Sequence, residues 1–276
     1  MKSILVHIPS ERPVRAVIDG AISLADSRAA HLDAVSVGYE SSNVGLVVES
    51  GAAVSAIFEI EHERALARAN AVLAVFEAEA RSAGIAYHRR ALASLPIEAA
   101  TSVSALARLH DLTVVLQPEP ERDTFDNVMA QEVLFESGGP VLFVPYTHKG
   151  PLLAKRVGIA WDGSRLAARA LRDAASFLAR AEDITIIGIN DAQAPVEASV
   201  TAVSARLARY GVNTRIERMD ANRADIQPTI LSIAADNSLD LIVMGGYGHS
   251  HLQERILGGV TRDMLQAMTV PTLMSH

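Results

Sequence analysis

The stretch "LDLIVM" at 239–244 is followed at once by "GGYGHSHLQERILGGVTRDML" at 245–265. Five apolar residues of these six, broken only by Asp240, carry no 3.6-residue period and read as a strand buried on both faces, as in a parallel sheet. Glycines follow at 245, 246, 248, 258 and 259. Beyond them Val260, Met264, Leu265 and Met268 mark an apolar helix face. The order is strand, glycine-bearing loop, helix N-terminus. In a doubly wound sheet that is where ligands bind, because glycines let a backbone approach a phosphate and the first helical N–H groups attract anions.

The rest of the chain repeats the alternation. Strands are expected at 4–8, 31–37, 85–92, 112–116 and 141–145, then at 157–161, 184–189, 213–219, 239–244 and 271–275. Helical periodicity lies between them. Leu66, Ala69, Leu73 and Phe76 mark one stripe, and Ala167, Leu171, Ala174 and Leu178 another. A third runs through Val196, Val200, Val203, Leu207 and Tyr210, with Gly211 as its stop. Residues 39–60 read as a loop or helical extension over the strand ends.

The two halves resemble each other. "HDLTVVL" (110–116) matches "LDLIVMG" (239–245), and "GGPVLFVP" (138–145) matches "TVPTLMSH" (269–276). This is an internal repeat of a five-stranded α/β unit. The connector "THKGPLLAK" (147–155) is the boundary, which gives domains at 1–147 and 154–276.

Composition narrows the function. With 276 residues, 49% hydrophobic and 4% aromatic, the core must be built from Ala, Val, Leu and Ile. A net charge of -7 argues against a nucleic-acid or anionic-membrane surface. No cysteine is present, so no thiolate chemistry or Cys-based metal site exists. No run approaches the roughly 20 apolar residues of a membrane span. A soluble cytoplasmic protein is the expectation.

The glycine spacing is G-x2-G-x9-G, at Gly245, Gly248 and Gly258. It resembles the nucleotide-binding motif of the universal stress protein family in its ATP-binding branch. "GIAWDGSRLAARAL" resembles that family's first strand and helix, and "VTRDML" with "VPTL" its last helix and strand. The resemblance implies two tandem Rossmann-like domains, each a doubly wound five-stranded parallel sheet of order 3-2-1-4-5. It implies pairing of the two halves through their fifth strands as an internal pseudo-dimer, with further homodimerisation left open.

The resemblance also implies ATP, alone or with Mg, as ligand. Asp162 and Ala160 would lie by the ribose and base, and Ile189 would pack on the adenine. Gly245 and Gly248 would line the ribose and phosphate side, and Gly258, Gly259, Val260 and Thr261 would grip the phosphates. One position departs from the pattern: the expected small hydroxyl residue after the third glycine is Gly259. A neutral hydrogen bond is worth roughly 0.5–1.5 kcal/mol, so weakened affinity is expected. Asp162 is equally suited to capping the helix that begins near Ser164.

The first half lacks this chemistry. Pro9 stands where Asp162 stands, and Leu116, Gln117 and Glu119 stand near Gly245, Gly246 and Gly248. Its loop carries Glu119, Glu121, Asp123 and Asp126 and would repel phosphates. His249 and His251 suggest no metal site without a third ligand. There is no lysine between 156 and 276 and no P-loop, so rapid phosphoryl transfer is not expected. Two other readings stay open: a nucleotide-free scaffold acting by protein contacts, and a weak adenine-nucleotide hydrolase.

Overall fold

The computed structural model describes residues 1–40, 51–193, 195–246 and 259–276. The first half runs β1 (Ser3–His7), α1 (Arg15–Arg28), β2 (His31–Tyr39), α2 (Gly51–Ala83), β3 (Tyr87–Ser94), α3 (Pro96–Ala107), β4 (Leu112–Leu116), α4 (Asp126–Glu136) and β5 (Val141–Val144). The second runs β6 (Arg156–Ala160), α5 (Arg165–Asp173), α6 (Ala175–Leu178), β7 (Asp183–Ile189), α7 (Val200–Ala208), β8 (Arg215–Met219), α8 (Ile226–Asp236), β9 (Leu241–Gly245), α9 (Val260–Ala267) and β10 (Thr272–Ser275).

All ten strands form one sheet in the order β3-β2-β1-β4-β5-β10-β9-β6-β7-β8. Pairing is parallel within each half, and each half has the order 3-2-1-4-5 when its own strands are counted. The halves meet where β5 and β10 pair antiparallel, with Phe143 opposite Thr272 and Val141 opposite Met274. Two apolar cores lie on the two faces of this sheet, and each takes residues from both halves. A two-fold relation shows in the contacts: Arg28 donates to the Ser176 carbonyl at 2.7 Å, and Arg180 donates to the Ser27 carbonyl at 2.6 Å.

The central strands are buried throughout, as their apolar runs require, but the outer two are not. β3 carries His88, Arg89 and Arg90, and β8 carries Arg215, Glu217 and Arg218, largely exposed. These are the sheet's edges, and charge there opposes pairing with another chain.

All three helical stripes differ in part from expectation, the first in that Ala65 is buried and Leu66 only half-buried. Val196 and Tyr210 are 80% and 73% exposed, because the helix spans only Val200–Ala208 and Val196 sits in a separate 3₁₀ turn. The Ala167–Leu178 stripe is buried as read, but its helix breaks at Ala174 into α5 and α6. The long α2 exceeds its predicted stripe, and its buried face runs Ala65, Ala69, Leu73, Phe76 and Ala80. It lies so close to β2 that a side chain at Gly38 would meet the Ala65 backbone. Part of the 39–60 segment lies outside the described residues. Among those described, no helix is long and apolar enough to cross a membrane.

Candidate functional site

β6 lies between β7 on one side and β9 on the other, so the chain reverses its winding direction at this strand. The carboxyl ends of β6, β7 and β9 therefore diverge over a crevice. A cleft of about 360 Å³ opens there.

The β6–α5 turn forms one wall. Asp162 accepts the Ser164 N–H at 2.9 Å, Gly163 takes φ +75, and Ser164 caps α5 by accepting the Ala167 N–H at 3.1 Å. The capping role considered for Asp162 thus belongs to Ser164. Asp162 shapes the turn and remains exposed to the cleft. Trp161 is anchored by its indole N–H on the Ala198 carbonyl at 2.7 Å. The floor is apolar, from Ala160, Ile187, Ile189, Ile226, Ile230 and Met244. Asn190 stabilises the far rim. It adopts φ +58 and exchanges two hydrogen bonds with the Ala221 backbone, which ties the end of β7 to the segment after β8. That segment brings Arg223 to the cleft.

Gly245 and the start of α9 close the remaining side. A Cβ on Gly245 would lie 2.7 Å from the Ala167 nitrogen and 2.8 Å from the Leu166 carbonyl carbon. Glycine is thus required by the approach of α5 to β9, whatever the cleft holds. Gly259 is the N-cap of α9, in extended conformation, and has no side chain to cap the helix. The first-turn N–H groups lack intrahelical acceptors, and the helix dipole adds positive potential there. Thr261 is buried in that first turn.

Of the residues expected at the site, Ala160, Asp162, Ile189, Gly245, Gly259, Val260 and Thr261 line this one cleft. Gly248 and Gly258 lie outside the described residues, as do His249, His251 and Arg255. Sequence reasoning missed Arg223, Ile226 and Ile230. They come from a segment with no motif, and only the packing of α8 against β7 brings them to the cleft. Among the described residues, no group of three or more His, Asp or Glu is arranged to hold a metal ion.

The equivalent crevice of the first half is filled by its own side chains. Asp126 stands in the first turn of α4, buried, where the second half has its open helix N-terminus. It accepts the Tyr39 hydroxyl at 2.9 Å and the Glu11 N–H at 3.0 Å. The buried Arg12 guanidinium lies 3.5 Å from Glu119. Burial pushes the Asp126 carboxyl and the Tyr39 hydroxyl up, and Asp126 raises Tyr39 further. His7 approaches Asp126 at 3.9 Å, yet burial, then Arg12, lowers its pKa to about 4. The pair is therefore no ion pair at neutral pH. His110 sits elsewhere, bonded to Asp33 and to the Leu106 carbonyl, each at 2.8 Å.

Residues 154–276 match the model of the universal stress protein family. The chain carries a universal stress protein domain. A universal stress protein from Archaeoglobus fulgidus DSM 4304 has the same fold at 15% identity, with TM-score 0.73 over 98% of this chain and 95% of that one. A Pseudomonas aeruginosa PAO1 protein of unknown function is similar at 17% identity, with TM-score 0.58 over 100% and 92%. Both span nearly the whole chain, so the fold they share with it takes in the first half as well. No curated protein sequence matches the chain.

Proposed function

We propose that residues 154–276 form a nucleotide-binding domain that takes ATP in the β6/β9 cleft, and that residues 1–147 form a degenerate copy without nucleotide. The observation that carries this reading is the make-up of the cleft. Its apolar floor suits a purine, and the uncapped N-terminus of α9 at one side suits phosphates. The exposed Asp162 carboxylate is suited to a ribose hydroxyl. Arg223 supplies a cation at the rim. Gly248 and Gly258 are expected to complete the phosphate grip. The Asp126 carboxylate at the matching helix in the first half argues against an anion there.

With no lysine beyond residue 156, hydrolysis is expected to be slow or absent. The nucleotide would act as a signal, in a cytoplasmic stress-response protein whose β5–β10 junction takes the place of a dimer contact between separate chains. Binding at 100 times Kd adds about 2.7 kcal/mol of stability.

Trp161 is the single tryptophan and lines the cleft, so its fluorescence reports occupancy without labelling. Titration with Mg-ATP should change that emission saturably and raise the melting temperature, with about one ATP bound per chain. An unchanged signal and melt at millimolar ATP would sink the proposal. Two nucleotides per chain would refute the reading of the first half.

A further inference from the structure

The residue that follows the fourth strand of each half occupies the same place in both. Gln117 donates its backbone N–H to the Val144 carbonyl at 2.8 Å, and Gly246 donates to the Ser275 carbonyl at 2.9 Å. In both halves the position faces across the β5–β10 junction towards the other half's last helix. Beside Gly246 lies Leu134 of α4, 3.1 Å from where a Cβ would stand. Beside Gln117 lies the C-terminal turn of α9. The contents differ: one position has no side chain and the other has a primary amide.

That amide is 1% exposed. Its Nε2 donates to the carbonyls of Leu265 at 3.0 Å and Gln266 at 3.2 Å. Both belong to the last turn of α9, whose carbonyls have no intrahelical donor. Side-chain donors at a helix C-terminus satisfy these groups and oppose the negative end of the dipole. Among the described residues the Gln117 side-chain oxygen has no partner, so these two bonds orient the side chain there.

We infer that Gln117 of the first half is a positioning residue for the nucleotide site of the second. It holds α9 by its C-terminal end and so fixes the N-terminal turn that faces the cleft. α9 has eight residues, too short to be stable without such supports. At this position the link runs one way, because Gly246 has no side chain to donate to α4. The first half thereby serves a site it does not line. The affinity arm of the test rests on the ATP reading above; the helix-holding arm does not.

The test is Gln117→Met in the full chain. Methionine keeps the length and removes the unpartnered oxygen, but it also removes both donors and leaves two α9 carbonyls unpaired, so some stability should be lost and the readouts that decide are those local to α9. Amide hydrogen exchange across Val260–Ala267 should quicken severalfold, while α8 at Ile226–Asp236 is unchanged. The Kd for ATP should rise about threefold to tenfold while that for adenosine stays within about twofold, since only ATP reaches the turn of α9. Gln117→Glu, which sets a carboxylate against two carbonyls, should exceed both effects.

Unchanged exchange in α9 would overturn the inference whatever the protein binds. Equal weakening of ATP and adenosine would also overturn it, because the effect would then not pass through the phosphate end. If wild type binds neither ligand but α9 exchange still quickens, the ATP reading fails and the support of α9 by Gln117 stands.

Discussion

Gly245 is the position where packing and the proposed ligand site coincide, and Gly245→Ala separates the two demands. The new Cβ would sit 2.7 Å from the Ala167 nitrogen, 2.8 Å from the Leu166 carbonyl carbon and 2.9 Å from the Leu166 Cβ. Two of these atoms are backbone and cannot rotate away. Ordinary contact requires β9 and α5 to part by roughly 0.5–1 Å. α5 is itself packed into the core, with Leu166, Ala167 and Ala170 buried, which limits how far it can move. Such overpacking costs about 1–3 kcal/mol, which lowers the melting temperature by about 3–10 °C in a chain of this size.

Gly246→Ala is the control. Its Cβ would meet the Leu134 methyl at 3.1 Å and nothing else nearer than 3.7 Å. A side-chain end can yield by a few tenths of an ångström, so this variant should fall within about 0.5 kcal/mol of wild type. Denaturant titration of both, compared at equal m-value, measures the difference. If Gly245→Ala is as stable as wild type, or Gly246→Ala costs as much, the close approach of α5 to β9 is not what selects glycine. In that case ligand contact becomes the explanation for both residues.

Three further outcomes are expected. Gly38→Ala should cost at or above the top of the about 1–3 kcal/mol overpacking range, because its Cβ meets the Ala65 backbone; the urea midpoint measures it. His7 is neutral in the fold, where burial and then Arg12 lower its pKa from the ordinary 6.5 to about 4. The unfolded chain therefore binds the extra proton first, and stability should fall as pH drops from 6.5 to 4, by about 3 kcal/mol in all. His7→Leu should flatten that window in a pH series of denaturant midpoints, and an unaltered slope would refute the assignment. Gly259→Ser places a hydroxyl at the N-cap of α9, in extended backbone that any residue adopts. It should stabilise the protein by a few tenths of a kcal/mol and tighten ATP binding by about twofold to tenfold, read by Trp161 fluorescence.

The fold class and the internal repeat were legible in the residues alone. Apolar runs such as "LTVVL" and "LDLIVM" read as strands covered on both faces, and their alternation with helical stripes gives parallel βαβ units. The glycine spacing pointed to the β9–α9 region, because local backbone chemistry is written in local residues, and the family resemblance pointed to Asp162 and Ile189 at the neighbouring strand ends. Three assignments came from long-range packing. It assigned Gly245 to the approach of α5, a contact between segments some 80 residues apart. It brought Arg223, Ile226 and Ile230 to the cleft, since no local pattern encodes which helix face meets which strand end. It also turned Gln117, in sequence merely a residue where a glycine was missing, towards the last turn of α9 148 residues away. Periodicity and spacing report which faces a chain must bury. The partner each face meets is fixed by the packing of the whole sheet, and the long-range hydrogen bonds follow from that.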